Sequence, residues 1–273
     1  MHTLGRPASE DGTVYEETAD LAFTVGVEKS QDRKYIIINT GENSSNEIRL
    51  LPADNPSAPL QLVAARRPNV QYSVDSAHDK LWILTNDDHV NFRIAEARPD
   101  RPSEWRTVIT GSDEVYLRGI TSFRDHLVIS ERVNGLDQVR LRSYDGREER
   151  VPFREASYVA TLGGNAEYAP AAYRLTYSSM VTPPTVYDYH PADKRLETLK
   201  VQQIPSGYDA SQYETERLMV PSRDGKQIPV SIVYKKGFRK DGTAPLFLYA
   251  YGAYGFAYPP SFNTNRFSLI DRG

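Results

Sequence analysis

The chain has no cysteine in its 273 residues. Disulfides, thiol nucleophiles, iron–sulfur clusters and cysteine-based zinc sites are excluded with it. No stretch approaches the 18 or so apolar residues of a membrane span, and MHTLGRPASEDGT at the start has no apolar core of signal-peptide length. The expectation is a cytoplasmic protein with no membrane partner. Charge of one sign is missing too. Lys and Arg number 33 against 36 Asp and Glu, a net charge of −3, so nothing asks for nucleic acid. The one dense basic run, Lys235-Lys236-Gly237-Phe238-Arg239-Lys240, reads as a solvated loop after a strand. Asn43-Ser44-Ser45 fits a glycosylation sequon but, without a secretion signal, reads as a polar turn.

Histidines are few and scattered: His2, His78, His89, His126 and His190, with no helical i, i+4 pair and no metal spacing. His78 and His126 recur just before strands, which suggests packing or turn roles. Asp87-Asp88-His89 reads as a solvated turn rather than a metal corner, because three adjacent side chains of one loop rarely converge on an ion. Trp82, inside a strand, and Trp105, just before one, are assigned to the core. No G-x-S-x-G elbow, HGGG or P-loop occurs. The α/β-hydrolase triad runs Ser, then Asp or Glu, then His. The last histidine, His190, precedes the first hydrolase-like strand, so this stretch cannot assemble such a triad. Neither metal nor organic cofactor is expected.

Helical periodicity is scarce and strand-like runs are plentiful: FTVGVE (23–28), YIIIN (35–39), EIRLL (47–51), LQLVA (60–64), KLWILT (80–85), FRIAEA (92–97), HLVISE (126–131), QVRLRSY (138–144), YRLTYS (173–178) and TVYDY (185–189). Ile36, Leu81, Leu127 and Leu175 recur in steps of 45, 46 and 48 residues. The next strand recurs through Ile48, Ile94, Val139 and Tyr187 in steps of 46, 45 and 48. A period in the forties built of several strands is the pattern of β-propeller blades, and two series keeping step favour it over a sandwich with coincidental spacing. About four such units fit into residues 1–204. The opening HTLGRPASEDGTVYEE shows no capping strand and resembles a cut edge.

The texture changes over 205–273. YETERLMVPSRDGKQIPVSIVYKK predicts a long hairpin turning at Asp224-Gly225, with Ile228, Val230, Ile232 and Tyr234 on one buried face. PLFLYAY (245–251), apolar on both faces, predicts a strand buried in an α/β sheet. Small residues Ala250, Gly252, Ala253 and Gly255 flank its end. By spacing alone they fit an aromatic-rich strand end that needs close packing.

Several collinear motifs add a further reading. HTLGRPASED…VYEE, YSSMVTPPTVYDY (177–189), SRDGKQIPVSIVY (222–234), PLFLYAYGAYGF and SFNTNRFSLIDRG together resemble oligopeptidase B, a branch of the prolyl oligopeptidase family of serine peptidases. The resemblance runs from about His2 to Gly273. It implies a mainly β chain: a partial β-propeller over 1–204, then the first strands of an α/β-hydrolase domain over 205–273, before the triad. It implies hydrolysis of short peptides after Arg or Lys by the parent enzyme, and no activity of this chain alone. Propellers of the family close with more blades, so the remainder of both domains is an implied partner. YAYGAYG matches the family's YGYGSYG or YGYGGF, which makes Tyr251 the phenolic donor of the oxyanion hole and Tyr254 a residue lining the S1 pocket.

Two positions depart from the pattern. Ala250 replaces a glycine, and Pro259 and Ser261 stand where relatives carry acids that hold a basic P2 side chain. Two alternatives stay open: a free-standing propeller-type binding module, and a prolyl or acylaminoacyl peptidase relative.

Overall fold

Alternating and β-branched runs become strands wherever turn chemistry stops them. The computed structural model describes residues 1–253 and 256–272. Sixteen strands form four antiparallel sheets in chain order. The first holds β1 (Thr24–Lys29), β2 (Tyr35–Gly41), β3 (Asn46–Pro52) and β4 (Gln61–Ala64). The second holds β5 (Tyr72–Ala77), β6 (Lys80–Thr85), β7 (Arg93–Arg98) and β8 (Arg101–Ile109). β9 (Val115–Ser122), β10 (His126–Val133), β11 (Leu136–Ser143) and β12 (Glu148–Arg150) make the third. β13 (Tyr158–Leu162), β14 (Tyr173–Ser179), β15 (Thr185–His190) and β16 (Arg195–Val201) make the fourth.

Every sheet is a simple meander, each strand pairing with its sequence neighbour. Ile36, Leu81, Leu127 and Leu175 all fall near the start of a second strand, and Ile48, Ile94, Val139 and Tyr187 all fall in a third. Four separate sheets replace the one continuous sheet of a sandwich. The two series keep register in three sheets, where Ile48 pairs with Asn39, Ile94 with Leu84 and Val139 with Ser130. In the fourth, Tyr187 pairs with Leu175 itself, beside an irregularity between Val186 and Tyr187.

Turn chemistry sets this register. β5 and β6 meet through a two-residue turn, His78-Asp79, with φ of 54° at both positions. That is the left-handed pair that a tight hairpin requires. Asn134-Gly135 does the same between β10 and β11. Gly135 could carry no side chain, since a Cβ there would lie 2.6 Å from Pro229 Cγ.

Contacts divide the chain into two units, Met1–Ser112 with Ile120–Arg124, and Asp113–Gly119 with Asp125–Gly273, so the division passes through β9. In the first unit a core of Ile37, Ile48, Leu50, Val63, Tyr72, Val74, Leu81, Ile83, Ala95 and Ala97 lies between the first and second sheets. Tyr72 pins it. Its hydroxyl accepts from the amide of Ile48 at 2.7 Å and donates to the carbonyl of Ala64 at 2.7 Å, and its ring packs on Trp105 at 5.2 Å. Burial pushes that phenol up to about 12. Trp105 lies inside β8 rather than before a strand, and it packs against this core partly buried, while Trp82 is buried. The N-terminal stretch has no strand before β1. It straps the first sheet instead, with Arg49 over the Tyr15 ring and Arg66 over that of Phe23.

In the second unit β14 shows the clean alternation of a half-buried strand, with Tyr173, Leu175 and Tyr177 inward and Arg174 and Thr176 outward. Phe153, Tyr158 and Tyr177 pack ring against ring at 5.0–5.4 Å, Phe153 stacked on Tyr177. Glu131, 1% exposed, sits between Arg140 at 2.7 Å and Arg150 at 2.9 Å.

Candidate functional site

The site implied by the motifs lies after the fourth sheet. β17 (Tyr213–Pro221) and β18 (Gln227–Lys235) form the predicted hairpin, closed by Ser222 to Lys226 with Gly225 at φ +82°. The burial differs from expectation. Ile228 is exposed, and Val230, Ile232 and Tyr234 are only partly covered, because the two strands make a sheet of their own with no further strand beside it among the described residues. Lys240 reaches back to Glu216 and over the Tyr234 ring, so the basic run is a loop tethered at its far end.

The expected buried strand at 245–251 does not form. Leu246 is 83% exposed and Phe247, Leu248 and Tyr249 are exposed as well. A segment apolar on both faces is stable as a strand only between other strands and under covering helices, and among the described residues none pairs with it. Tyr251 at its end is 54% exposed, and its ring meets only Phe256, edge-on at 5.6 Å, among the described ring contacts. Tyr254 lies outside the described residues.

The stretch from Phe262 to Asp271 is better anchored. Helix α1 (Thr264–Ile270), capped by the Asn263 side chain, buries Phe267 against Tyr208, Tyr213 and Phe262. The Tyr208 hydroxyl donates to the carbonyl of Val181, and the amide of Phe262 donates to the Ser178 hydroxyl at 3.0 Å. Asp271, in the matched IDRG ending, accepts from the Tyr213 hydroxyl at 3.0 Å and pairs with Lys235 at 3.1 Å. The ammonium and the phenol hold its carboxyl below the usual range. This aromatic anchor was not foreseen from the sequence. Its signal was present in Tyr208, Tyr213, Phe262 and Phe267, but these are scattered along about 60 residues with no period to link them.

The histidines serve structure. His126 Nδ1 meets the Tyr173 hydroxyl at 2.8 Å, His78 Nε2 the carbonyl of Arg124 at 2.6 Å, and His190 the Glu197 carboxylate at 3.0 Å. Asp87 is bound by Arg93 at 2.8 Å, while His89 accepts from the amide of Asn91. The sequon residues form a turn held by Glu42, which accepts from Ser44 and Ser45. Among the described residues no group of three or more metal-ligating side chains converges.

Four meanders at a period in the forties, followed by this aromatic anchor, have a known counterpart. Residues 1–202 match the family described as prolyl oligopeptidase, N-terminal β-propeller domain. The chain belongs to the prolyl oligopeptidase family. Its four sheets are therefore propeller blades. The chain is 40% identical over 276 residues to a dipeptidyl aminopeptidase BI of Pseudoxanthomonas mexicana, covering 100% of this chain and 38% of that protein. It is 33% identical over 272 residues to protease 2 of Moraxella lacunata, covering 100% and 39%. Oligopeptidase B from Trypanosoma brucei, solved with antipain covalently bound, superposes with a TM-score of 0.89 at 29% identity over 100% of this chain and 40% of that one. The chain thus spans about two fifths of the length of the curated relatives it matches.

Proposed function

We propose that this chain is the propeller and the opening of the peptidase domain of a serine oligopeptidase that cleaves short peptides in the cytoplasm. The observation that carries the reading is the end-to-end match, propeller and anchor together, to peptidases more than twice as long. In that reading residues 205–273 begin an α/β-hydrolase domain, and PLFLYAY becomes a strand once its sheet partners are beside it. Its exposed apolar faces support this, since a run of Leu246, Phe247 and Leu248 left in water is costly unless something covers it.

The chemistry assigned to this chain is electrostatic. The Tyr251 phenol, at the end of a strand fixed by packing, donates a hydrogen bond to the oxyanion that develops as the peptide carbonyl is attacked. Tyr254 borders the pocket for the P1 side chain. Nucleophile, acid and base come from the rest of the longer protein, and the 273-residue chain by itself hydrolyses nothing.

Arg or Lys at P1 is the expected preference by likeness to oligopeptidase B. A second reading is favoured by a specific observation: the dipeptidyl aminopeptidase is the more similar of the two relatives at 40% against 33%, and Pro259 and Ser261 replace acids that would hold a basic P2. That reading makes the enzyme release dipeptides from free N-termini. The test is an assay of the longer protein on two reporters, one with a blocked N-terminus and Arg at P1, the other a dipeptide with a free amine. A fluorophosphonate probe for a reactive serine runs alongside. Cleavage of the blocked substrate supports the endopeptidase, and cleavage of the free dipeptide alone supports the second reading. Absence of both cleavage and labelling would leave the chain a binding module.

A further inference from the structure

The turns between first and second strands reach one repeat onward along the chain. Lys34 pairs with Asp79, and His78 meets the carbonyl of Arg124. Asp75, on β5 of the second sheet, reaches both ways. Its Oδ1 accepts from the amide of Gln31, in the β1–β2 turn, at 2.8 Å. The same oxygen accepts from the adjacent amide of Ser76 at 2.8 Å. Its Oδ2 accepts from the amide of Ser122, the last residue of β9, at 2.7 Å. Asp75 is 9% exposed, and every hydrogen-bond partner it has among the described residues is a backbone amide.

A buried carboxylate costs free energy unless it is well satisfied, and amides from three segments of the chain satisfy it only while those segments stay in place. We propose that Asp75 is a clasp that couples the β1–β2 turn, β5 and the end of β9, so that the segments bearing Gln31 and Ser122 open together when it is lost. Asp32 on the β1–β2 turn is the charge that acts on it, and the turns it joins also carry Arg33, Lys34, His78, Asp79 and Arg124. Burial raises the Asp75 carboxyl to about 6, the three amides pull the other way, and the Asp32 charge adds to the rise. A carboxyl raised in the folded state binds its proton more tightly there than in the unfolded chain. Its contribution to stability is therefore full below about pH 4 and is lost as the pH rises through about 6.

The experiment is amide hydrogen exchange at single-residue resolution on the full chain, as wild type, Asp75→Asn and Asp75→Ala. Asparagine keeps one acceptor oxygen for Gln31 and Ser76 but turns an NH₂ toward Ser122. Exchange at Ser122 should rise about 10-fold or more in Asp75→Asn with Gln31 little changed, and both should rise in Asp75→Ala. The fall in melting temperature between about pH 5 and about pH 7.5 should shrink in Asp75→Asn, which cannot titrate. Should Asp75→Ala not fold, the asparagine variant and the pH profile decide alone. Changes confined to residues 72–80, or a pH profile identical in wild type and Asp75→Asn, would overturn the clasp.

Discussion

The inner strands of the four blades and the segment 245–251 obey the same rules and end in opposite conditions. In the blades every strand has its partner in the adjacent sequence, so apolar residues such as Leu81 and Ile83 are fully buried. Beyond β16 the apolar run PLFLYAY is among the most exposed segments. Hydrophobicity alone does not make a strand. Antiparallel meanders find their partners within a few residues, whereas a strand of a parallel sheet depends on segments a dozen or more residues away. The contrast is between local and distant pairing, and it can be broken or sharpened by substitution.

The sharpest consequence is functional. The 273-residue chain should show no peptide hydrolysis and no fluorophosphonate labelling, whereas the longer protein should show both, a difference as large as the assay can resolve. Labelling of any serine in the shorter chain would show that the division of labour is wrong.

Next comes the inside of the blades. Glu131→Ala should cost about 1–3 kcal/mol in denaturant unfolding, because it takes away the buried carboxylate between Arg140 and Arg150 and leaves Arg140 only Glu148. Leu81→Ala should cost about 2–5 kcal/mol by leaving a cavity between the first and second sheets. The matching change outside, Leu246→Ala, should lie within about 0.5 kcal/mol of wild type in this chain, since the side chain is already in water. In the longer protein the same substitution should approach the cost of a core residue. Equal effects of Leu246→Ala in both contexts would mean that the segment never enters a sheet.

Much of this contrast was legible in the sequence. The ten strand runs read from pattern all became strands, because Gly, Asn and Asp punctuate them and their spacing repeats. Three of the six blade strands missed show why. β8 (RPSEWRTVI) carries a proline among its charges, and β12 (EER) has no apolar residue; both are edge strands held mainly by a neighbour's backbone. β16 (RLETLKV) likewise borders its sheet and is largely exposed. The Asp75 clasp was invisible for another reason, since backbone amides carry no residue identity. At the proposed site, Tyr251 is singled out by motif and not by pattern, and the anchor on Asp271 joins Tyr213 and Lys235 across a distance no local rule spans.

The measurement that bears most directly on the proposed role of this chain is steady-state kinetics of Tyr251→Phe in the longer protein, with Tyr249→Phe as its control. Both changes remove one phenolic oxygen from the same segment and keep the ring. Loss of an oxyanion donor should lower kcat by about 10²–10³-fold, roughly 2.7–4 kcal/mol, with KM moving much less. Tyr249→Phe should change kcat only slightly. If both substitutions slow turnover alike, or if Tyr251→Phe acts through KM or stability alone, Tyr251 is a packing residue and the oxyanion hole is built from other groups.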